Sequence, residues 1–232
     1  MQKTKTTKIS QSTPSWLVAT SLRDELVYKV YSVATWLSMI EEGSIRLSDD
    51  HRQWSWSDDQ IVKYITAVIN RCDAGTLLLW YQPLMPPWTG MIGELEVHSQ
   101  STVIGSPYVV LDGHQRLGAL ATVASSDRFK LNIDGGNVFT SAEEIPGCIS
   151  LRTIFSVHGV NSAARISRTV GTAHAQQFGL DVEQFVNKLY TVMKASYNSN
   201  MFALAAFEIP SSRSLKDVQR FAEQINAHRV SA

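Results

Sequence analysis

Two unbroken apolar runs of strand length constrain this chain most: residues 77–81 (Leu-Leu-Leu-Trp-Tyr) and residues 108–111 (Tyr-Val-Val-Leu). Runs of four or five residues without a polar break suit strands buried on both faces. Stretches of helical period surround them. Leu26, Val30, Val33, Leu37 and Ile40 recur at spacings of four and three, which predicts a helix over residues 26–42, stopped by Gly43. Residues 44–47 read as a short extended piece. Ser57 with Gln60 forms a capping box ahead of Ile61, Ile65, Val68 and Ile69, and Asp73-Ala74-Gly75 closes that helix. Residues 115–124 predict a helix with Leu117, Leu120 and Ala121 inward. Strands interleaved with helices define an α+β or α/β chain.

Further along, residues 82–106 read as one long irregular loop with three prolines in its first half. Residues 129–133 and 138–140 predict a hairpin around Asp134-Gly135-Gly136-Asn137, and residues 149–154 another short strand. Asp181 with Gln184 opens a helix carrying Val182, Phe185, Leu189, Val192 and Met193. Residues 202–209 read as a strand, and Ser214 caps a last helix with Leu215, Val218, Phe221, Ala222 and Ile225. The organisation expected is a flexible tail over residues 1–20 and a single domain over residues 21–232 with a helical last part.

Composition narrows the function classes. With 21 Lys+Arg against 21 Asp+Glu, no global positive charge exists to coat nucleic acid. At 232 residues, 44% hydrophobic, the chain buries enough surface to fold without disulfides or metal. Cys72 and Cys148 sit in no ligand-like pattern, which fits a reducing, cytoplasmic setting. No apolar run approaches the ~20 residues of a membrane span, so no membrane partner is expected. His98, His158, His174 and His228 show no metal-ligand spacing, and no P-loop or dinucleotide fingerprint is present. Trp56 and Trp80 read as core, while Trp54 and Trp88 flank loops where a base can stack. Arg165, Arg168 and His174 form a modest basic stretch, read as a solvated loop ahead of a DNA track.

One segment concentrates chemistry: Asp112-Gly113-His114-Gln115-Arg116, between the strand at residues 108–111 and the helix that follows. A helix N-terminus presents unpaired N–H groups and the positive end of its dipole, so it suits an anion. Gly113 permits close backbone approach, Arg116 can grip a phosphate with two N–H groups, Asp112 suits Mg²⁺ or an ordered water, and His114 suits acid–base work near neutral pH. The competing reading is structural: Asp112 as N-cap, with Gln115 completing a capping box.

Residues 111–117, Leu-Asp-Gly-His-Gln-Arg-Leu, resemble the Asp-Gly-Gln-Gln-Arg-Leu signature of the GmrSD-type restriction N-terminal domain family. Three flanking blocks agree in order: His51-Arg52-Gln53-Trp54-Ser55-Trp56 resembles its Gln-Arg-x-x-x-Trp element, Gly75-Thr76-Leu77-Leu78-Leu79-Trp80 its Gly-Ser/Thr-Leu-Leu-Leu-Trp strand, and Ala222-Glu223-Gln224-Ile225-Asn226 its late Phe-Glu-Arg-Ile-Asn element. The resemblance implies an α+β, ParB/sulfiredoxin-like mixed sheet with flanking helices. It also implies a nucleoside triphosphate site lined by Asp112, His114, Gln115 and Arg116, with His51, Arg52, Gly113 and Asn226 contributing and Mg²⁺ accompanying the nucleotide at Asp112. Family members are prokaryotic anti-phage or modification-dependent restriction components, GmrS-like and SspE-like, whose nucleotide hydrolysis regulates a His-Asn-His nuclease domain or partner chain.

This chain departs from the pattern at His114 and His51, which stand where the family has glutamine; a histidine titrates where an amide does not. The family's Pro before the first block is replaced by Ser48-Asp49-Asp50. The chain ends where family members continue, so the nuclease is expected on another polypeptide or on a part not included. Sulfiredoxin chemistry needs a cysteine in the turn, which holds none. No helix-turn-helix with a basic recognition helix follows the turn, which disfavours a partition protein. The expected function is therefore nucleotide hydrolysis controlling a nuclease. The alternatives are a non-catalytic sensor of nucleotide or modified DNA and, more weakly, a direct DNA nuclease.

Overall fold

Thr76–Tyr81 and Tyr108–Asp112, the strands built on the two apolar runs, pair antiparallel inside a mixed five-stranded sheet. The computed structural model describes residues 26–49, 51–72, 74–83, 86, 88–99, 107–198, 201–214, 216–218 and 220–221. Its elements are, in chain order, β1 (Val27–Ser32), α1 (Val33–Glu41), β2 (Ile45–Leu47), α2 (Asp58–Ile69), β3 (Thr76–Tyr81), β4 (Trp88–Ile92), β5 (Leu95–Ser99) and β6 (Tyr108–Asp112). There follow α3 (His114–Ser125), β7 (Phe129–Asn132), β8 (Val138–Thr140), β9 (Cys148–Ser150), α4 (Leu151–Phe155), α5 (Val160–Phe178), α6 (Val182–Ser196) and β10 (Ala203–Ile209). The large sheet runs β1-β10-β3-β6-β2, β4 and β5 form a hairpin, and β8-β7-β9 form a second small sheet. The class is α+β, with a mixed sheet and flanking helices.

The main core lies between one face of the large sheet and the helices, with Trp36, Ile40, Ile65, Leu77, Leu79, Val110, Leu117, Leu120 and Phe129 fully buried in it. The other face is covered by a smaller cluster, Leu78 and Ile209 with Val218 and Phe221 of the helical residues after Ser214. Ser214 caps those residues as predicted, its Oγ accepting from the Asp217 N–H at 3.2 Å. Leu215, Ala222 and Ile225 lie outside the described residues, as do residues 1–20 and Asp73. No helix among the described residues is long and apolar enough to cross a membrane.

Several elements differ from the sequence reading. The helix predicted over residues 26–42 begins only at Val33. Residues 27–32, Val-Tyr-Lys-Val-Tyr-Ser, are rich in β-branched and aromatic residues and pair with β10, because sheet partners outweigh the helical stripe. Ser32 starts the helix by accepting from the Thr35 N–H. The join of β1 and β10 centres on the buried Glu208: Tyr31 donates to its Oε1 at 2.6 Å, and the Nζ of the partly exposed Lys29 lies 2.7 Å from Oε2. Residues 82–106 are not one loop, since β4 and β5 form a hairpin closed by the two-residue turn Gly93-Glu94, with Gly93 at φ 62°. Only Cys148–Ser150 of the strand expected near 149–154 is extended. Ser150 then caps α4 by accepting from the Thr153 N–H.

Arg165, Arg168 and His174 fall on α5 and not in a loop. The buried stripe of that helix is Ala163, Ser167, Gly171 and Ala175 at steps of four, too small and polar to register as an apolar period. The small side chains let α6 approach closely: a Cβ at Gly171 would stand 3.1 Å from Val186 Cγ2. Arg165 and Arg168 are exposed and His174 is buried, so the three do not share a surface.

Candidate functional site

The turn between β6 and α3 gathers the residues singled out from sequence. Opposite it, β3 and β6 shift register between Leu78 and Leu79: Val110 pairs with Leu79, but Asp112 pairs with Leu78, leaving Leu111 as an extra residue. Such a bulge breaks the strand's alternation and re-aims the residues at its end. Asp112 is therefore the last residue of β6 and not the helix cap. The N-cap of α3 is Gly113, at φ 93°, with no side-chain cap. This corrects the capping-box reading of Asp112 and Gln115. Gly113 is buried, and a Cβ there would meet Leu77 Cγ at 3.0 Å in a conformation that L residues rarely adopt.

Gln115 turns back to hold the segment carrying Arg52. Its Nε2 donates to the Gln53 carbonyl at 2.9 Å, and its Oε1 accepts from the Ser55 N–H at 3.3 Å. The same Nε2 lies 3.1 Å from His114 Nε2. Trp54 lies over Gly118 on the next turn of α3, where a Cβ would stand only 2.5 Å from Trp54 Cζ3. On the same helix, the hairpin turn rests against Gly118, and the Glu94 N–H donates to Thr122 Oγ1 at 3.1 Å. Trp54 is thus a half-buried brace against α3, packed on the core. Trp56 meets Tyr64 edge-on at 5.3 Å, Trp88 is half-buried beside Gly90, and Trp80 joins the cluster on the far sheet face.

Arg116 reaches the third block. Its Nη1 donates to the Thr76 carbonyl at 2.8 Å, and a Cβ at Gly75 would lie 2.9 Å from its Cζ and Nε. Gly75, at φ 75°, is the residue that leaves room for this guanidinium. The sequence reading missed Thr76 and Gly75 as partners of Arg116, though both lie in the strand block it quoted.

His51 and His114 approach edge to face, with ring centroids 6.0 Å apart, and His51 Nδ1 is 2.6 Å from the Ser48 carbonyl. His114 is half-buried, and its pKa is lowered from the ordinary 6.5. Desolvation acts first, then the His51, Arg52 and Arg116 charges, opposed by Asp112. His51, Arg52, Asp112 and Arg116 therefore all lie within electrostatic reach of one imidazole. Asn226 lies outside the described residues, so three of the four sequence blocks are seen to converge.

Among the described residues, no three His, Cys, Asp or Glu side chains gather as a metal group. Mg²⁺ characteristically takes one or two carboxylates and completes its shell with substrate phosphates and water, so the single carboxylate of Asp112 fits a metal delivered with nucleotide. No protein-family model matches the chain, and no curated protein is significantly similar to it. The family reading therefore rests on the quoted motifs and on where they meet.

Proposed function

We propose that this chain binds a nucleoside triphosphate at the N-terminus of α3 and hydrolyses it, as the regulatory module of a prokaryotic anti-phage or modification-dependent restriction system. In this reading the fold is ParB/sulfiredoxin-like, the setting is cytoplasmic, and a nuclease domain or chain acts on DNA downstream. One observation carries it. Arg52 comes from one sequence block and Asp112, His114 and Arg116 from another, and they meet at an uncapped helix N-terminus. Two guanidinium groups and the first-turn N–H groups of α3 are the donors that a polyphosphate needs.

The chemistry is phosphoryl transfer to water, in which positioning and charge stabilisation supply most of the acceleration. Arg52 and Arg116 balance the phosphate charge, Gly113 lets the backbone come close, and Asp112 is the residue that would hold Mg²⁺. When bound, that ion neutralises phosphate charge. Gln115 fixes the segment of Arg52 and His51 against α3. His114 acts as an N–H donor. The Gln115 amide is oriented by the Ser55 N–H and the Gln53 carbonyl, so it presents N–H to His114 Nε2. That nitrogen then accepts, and the proton of the neutral ring sits on Nδ1. An Nδ1–H offers what the family's glutamine amide offers, a donor for a phosphate oxygen or the attacking water.

A non-catalytic sensor is the second reading. It is favoured by the two histidines standing in glutamine positions and by Arg116 already spending one donor on Thr76. Phosphate release from the four ribonucleotides, measured colorimetrically beside calorimetric binding, separates the two. Turnover lost in Arg52→Ala supports hydrolysis; binding without turnover supports the sensor. No binding of any of the four sinks both, and plasmid cleavage by this chain alone, lost in Asp112→Ala, would favour a direct nuclease.

A further inference from the structure

Tyr64 lies on the buried face of α2 with Ile61, Ile65 and Val68, and only 8% of its surface is exposed. Its hydroxyl is sealed from solvent and has no hydrogen-bond partner among the described residues. The ring meets Trp56 edge-on, with centroids 5.3 Å apart, and packs within the main core, so packing sets the direction of the hydroxyl. A buried hydroxyl without a partner gives up its bonds to water and regains nothing. Phenylalanine fills the same space without that cost. A tyrosine here therefore calls for a state of the protein in which the hydroxyl is used.

The charge that reaches this hydroxyl belongs to Arg116. Burial pushes the Tyr64 phenol well above its ordinary value, and the Arg116 guanidinium acts against that rise. The guanidinium is packed back against the turn, between two glycines. A Cβ at Gly75 would stand 2.9 Å from its Cζ, and a Cβ at Gly113 would stand 3.4 Å from its Nη1. That Nη1 donates to the Thr76 carbonyl at 2.8 Å. Arginine carries five N–H donors in a rigid planar fork, and a phenol oxygen accepts as well as donates. One bond to Thr76 leaves donors for a second partner.

We infer that Tyr64 is a positioning residue for Arg116: when a triphosphate occupies the N-terminus of α3, the guanidinium shifts in the gap between the two glycines, and the Tyr64 hydroxyl accepts one of its N–H groups and fixes the fork toward the phosphate. This rests on the reading of the turn as a triphosphate site. Tyr64 itself touches no ligand. Its hydroxyl is idle in the free chain and gains a partner in the bound one, so its effect falls on affinity and not on stability.

The test uses the full chain, with ATP, GTP and inorganic tripolyphosphate as probes in the presence of Mg²⁺. Without a probe, Tyr64→Phe should unfold in urea at a midpoint equal to or above that of the wild type. Its affinity for the probes that the wild type binds, read by calorimetry, should fall about tenfold. Arg116→Lys keeps the positive charge and loses the fork. In that background the same Tyr64→Phe change should cost much less than tenfold, since residues acting as a unit do not add. Wild-type affinity in Tyr64→Phe would overturn the proposal and leave the triphosphate reading intact. Equal losses in the two backgrounds would overturn it too, because Tyr64 would not act through Arg116. A Tyr64→Phe variant less stable than the wild type without a probe would mean that the hydroxyl is already bonded in the free chain, and the proposal fails. A wild type that binds none of the three probes sinks both this proposal and the triphosphate reading.

Discussion

Gln115 Nε2 stands 3.1 Å from His114 Nε2, so a side-chain amide donor faces an imidazole nitrogen on the adjacent residue. The amide has no freedom to flip, because the Gln53 carbonyl and the Ser55 N–H grip its two ends. A protonated Nε2 would point one N–H at another. The contact therefore favours neutral His114, in the same direction as burial and the neighbouring positive charges.

His114 should titrate below 6.5 in the folded protein. The unfolded chain then takes up its proton first as pH falls. The stability contributed by neutral His114 is present above pH 6.5 and is lost as pH drops through the lower folded value. Histidine resonances followed by NMR check this directly. The acid limb of kcat/KM for any nucleotide hydrolysis should likewise lie below pH 6.5. Gln115→Glu places an acceptor against Nε2 and should raise the His114 pKa; an unchanged titration would refute the donor role.

Gly75→Ala should loosen Arg116. The new methyl would sit 2.9 Å from the guanidinium carbon, at φ 75°. The backbone strain alone costs about 1–2 kcal/mol. Urea unfolding should show that loss, and nucleotide affinity should fall with it. A variant of wild-type affinity would mean that the Arg116 position does not matter for binding.

Gly118→Ala discriminates packing from propensity. Alanine is favoured over glycine in a helix by about 1 kcal/mol, so an open site would gain stability. Here the methyl meets Trp54 at 2.5 Å. We expect a net loss, a red shift of tryptophan emission as Trp54 leaves α3, and weaker nucleotide binding because Arg52 moves with it.

Arg128 ties three elements together. It donates to both carboxylate oxygens of Asp58 at the start of α2, to Glu94 in the hairpin turn at 2.6 and 2.8 Å, and it lies over Phe129 at 4.5 Å. The two carboxylates hold its pKa above the ordinary value. Arg128→Ala should cost about 1–3 kcal/mol, less in high salt, since the pairs are partly solvated. Arg128→Lys should recover only part of this, because an ammonium lacks the planar fork. Full recovery by lysine, read from urea unfolding, would show that the bidentate geometry contributes nothing.

Much of the framework was legible in the chain. Ser57 and Gln60 announce α2 because a capping box is a local event, and both of its hydrogen bonds form. Asp181 likewise opens α6 by accepting from the Gln184 N–H. The strands at β3 and β6 follow from short apolar runs that suit a strand buried on both faces. Residues 27–32 were illegible because their spacing suits a helix while their valine and tyrosine content suits a strand, and the choice is made by β10, more than 170 positions away. Helix α5 was illegible because its buried face is made of small residues, which carry little hydrophobic signal.

The sequence alone determined the make-up of the candidate turn: a carboxylate, a glycine, an imidazole, an amide and a guanidinium in five consecutive positions, after a strand and before a helix. Only the tertiary structure decided their roles. A bulge opposite Leu78 and Leu79 moves Asp112 off the helix cap, and Gln115 serves as a clamp on residues 53–55. Arg116 leans on the Thr76 carbonyl through the gap that Gly75 leaves. The division has a physical cause. Turn and cap propensities act within four residues and are written in order, whereas register, burial and charge depend on partners that folding alone brings within a few ångströms.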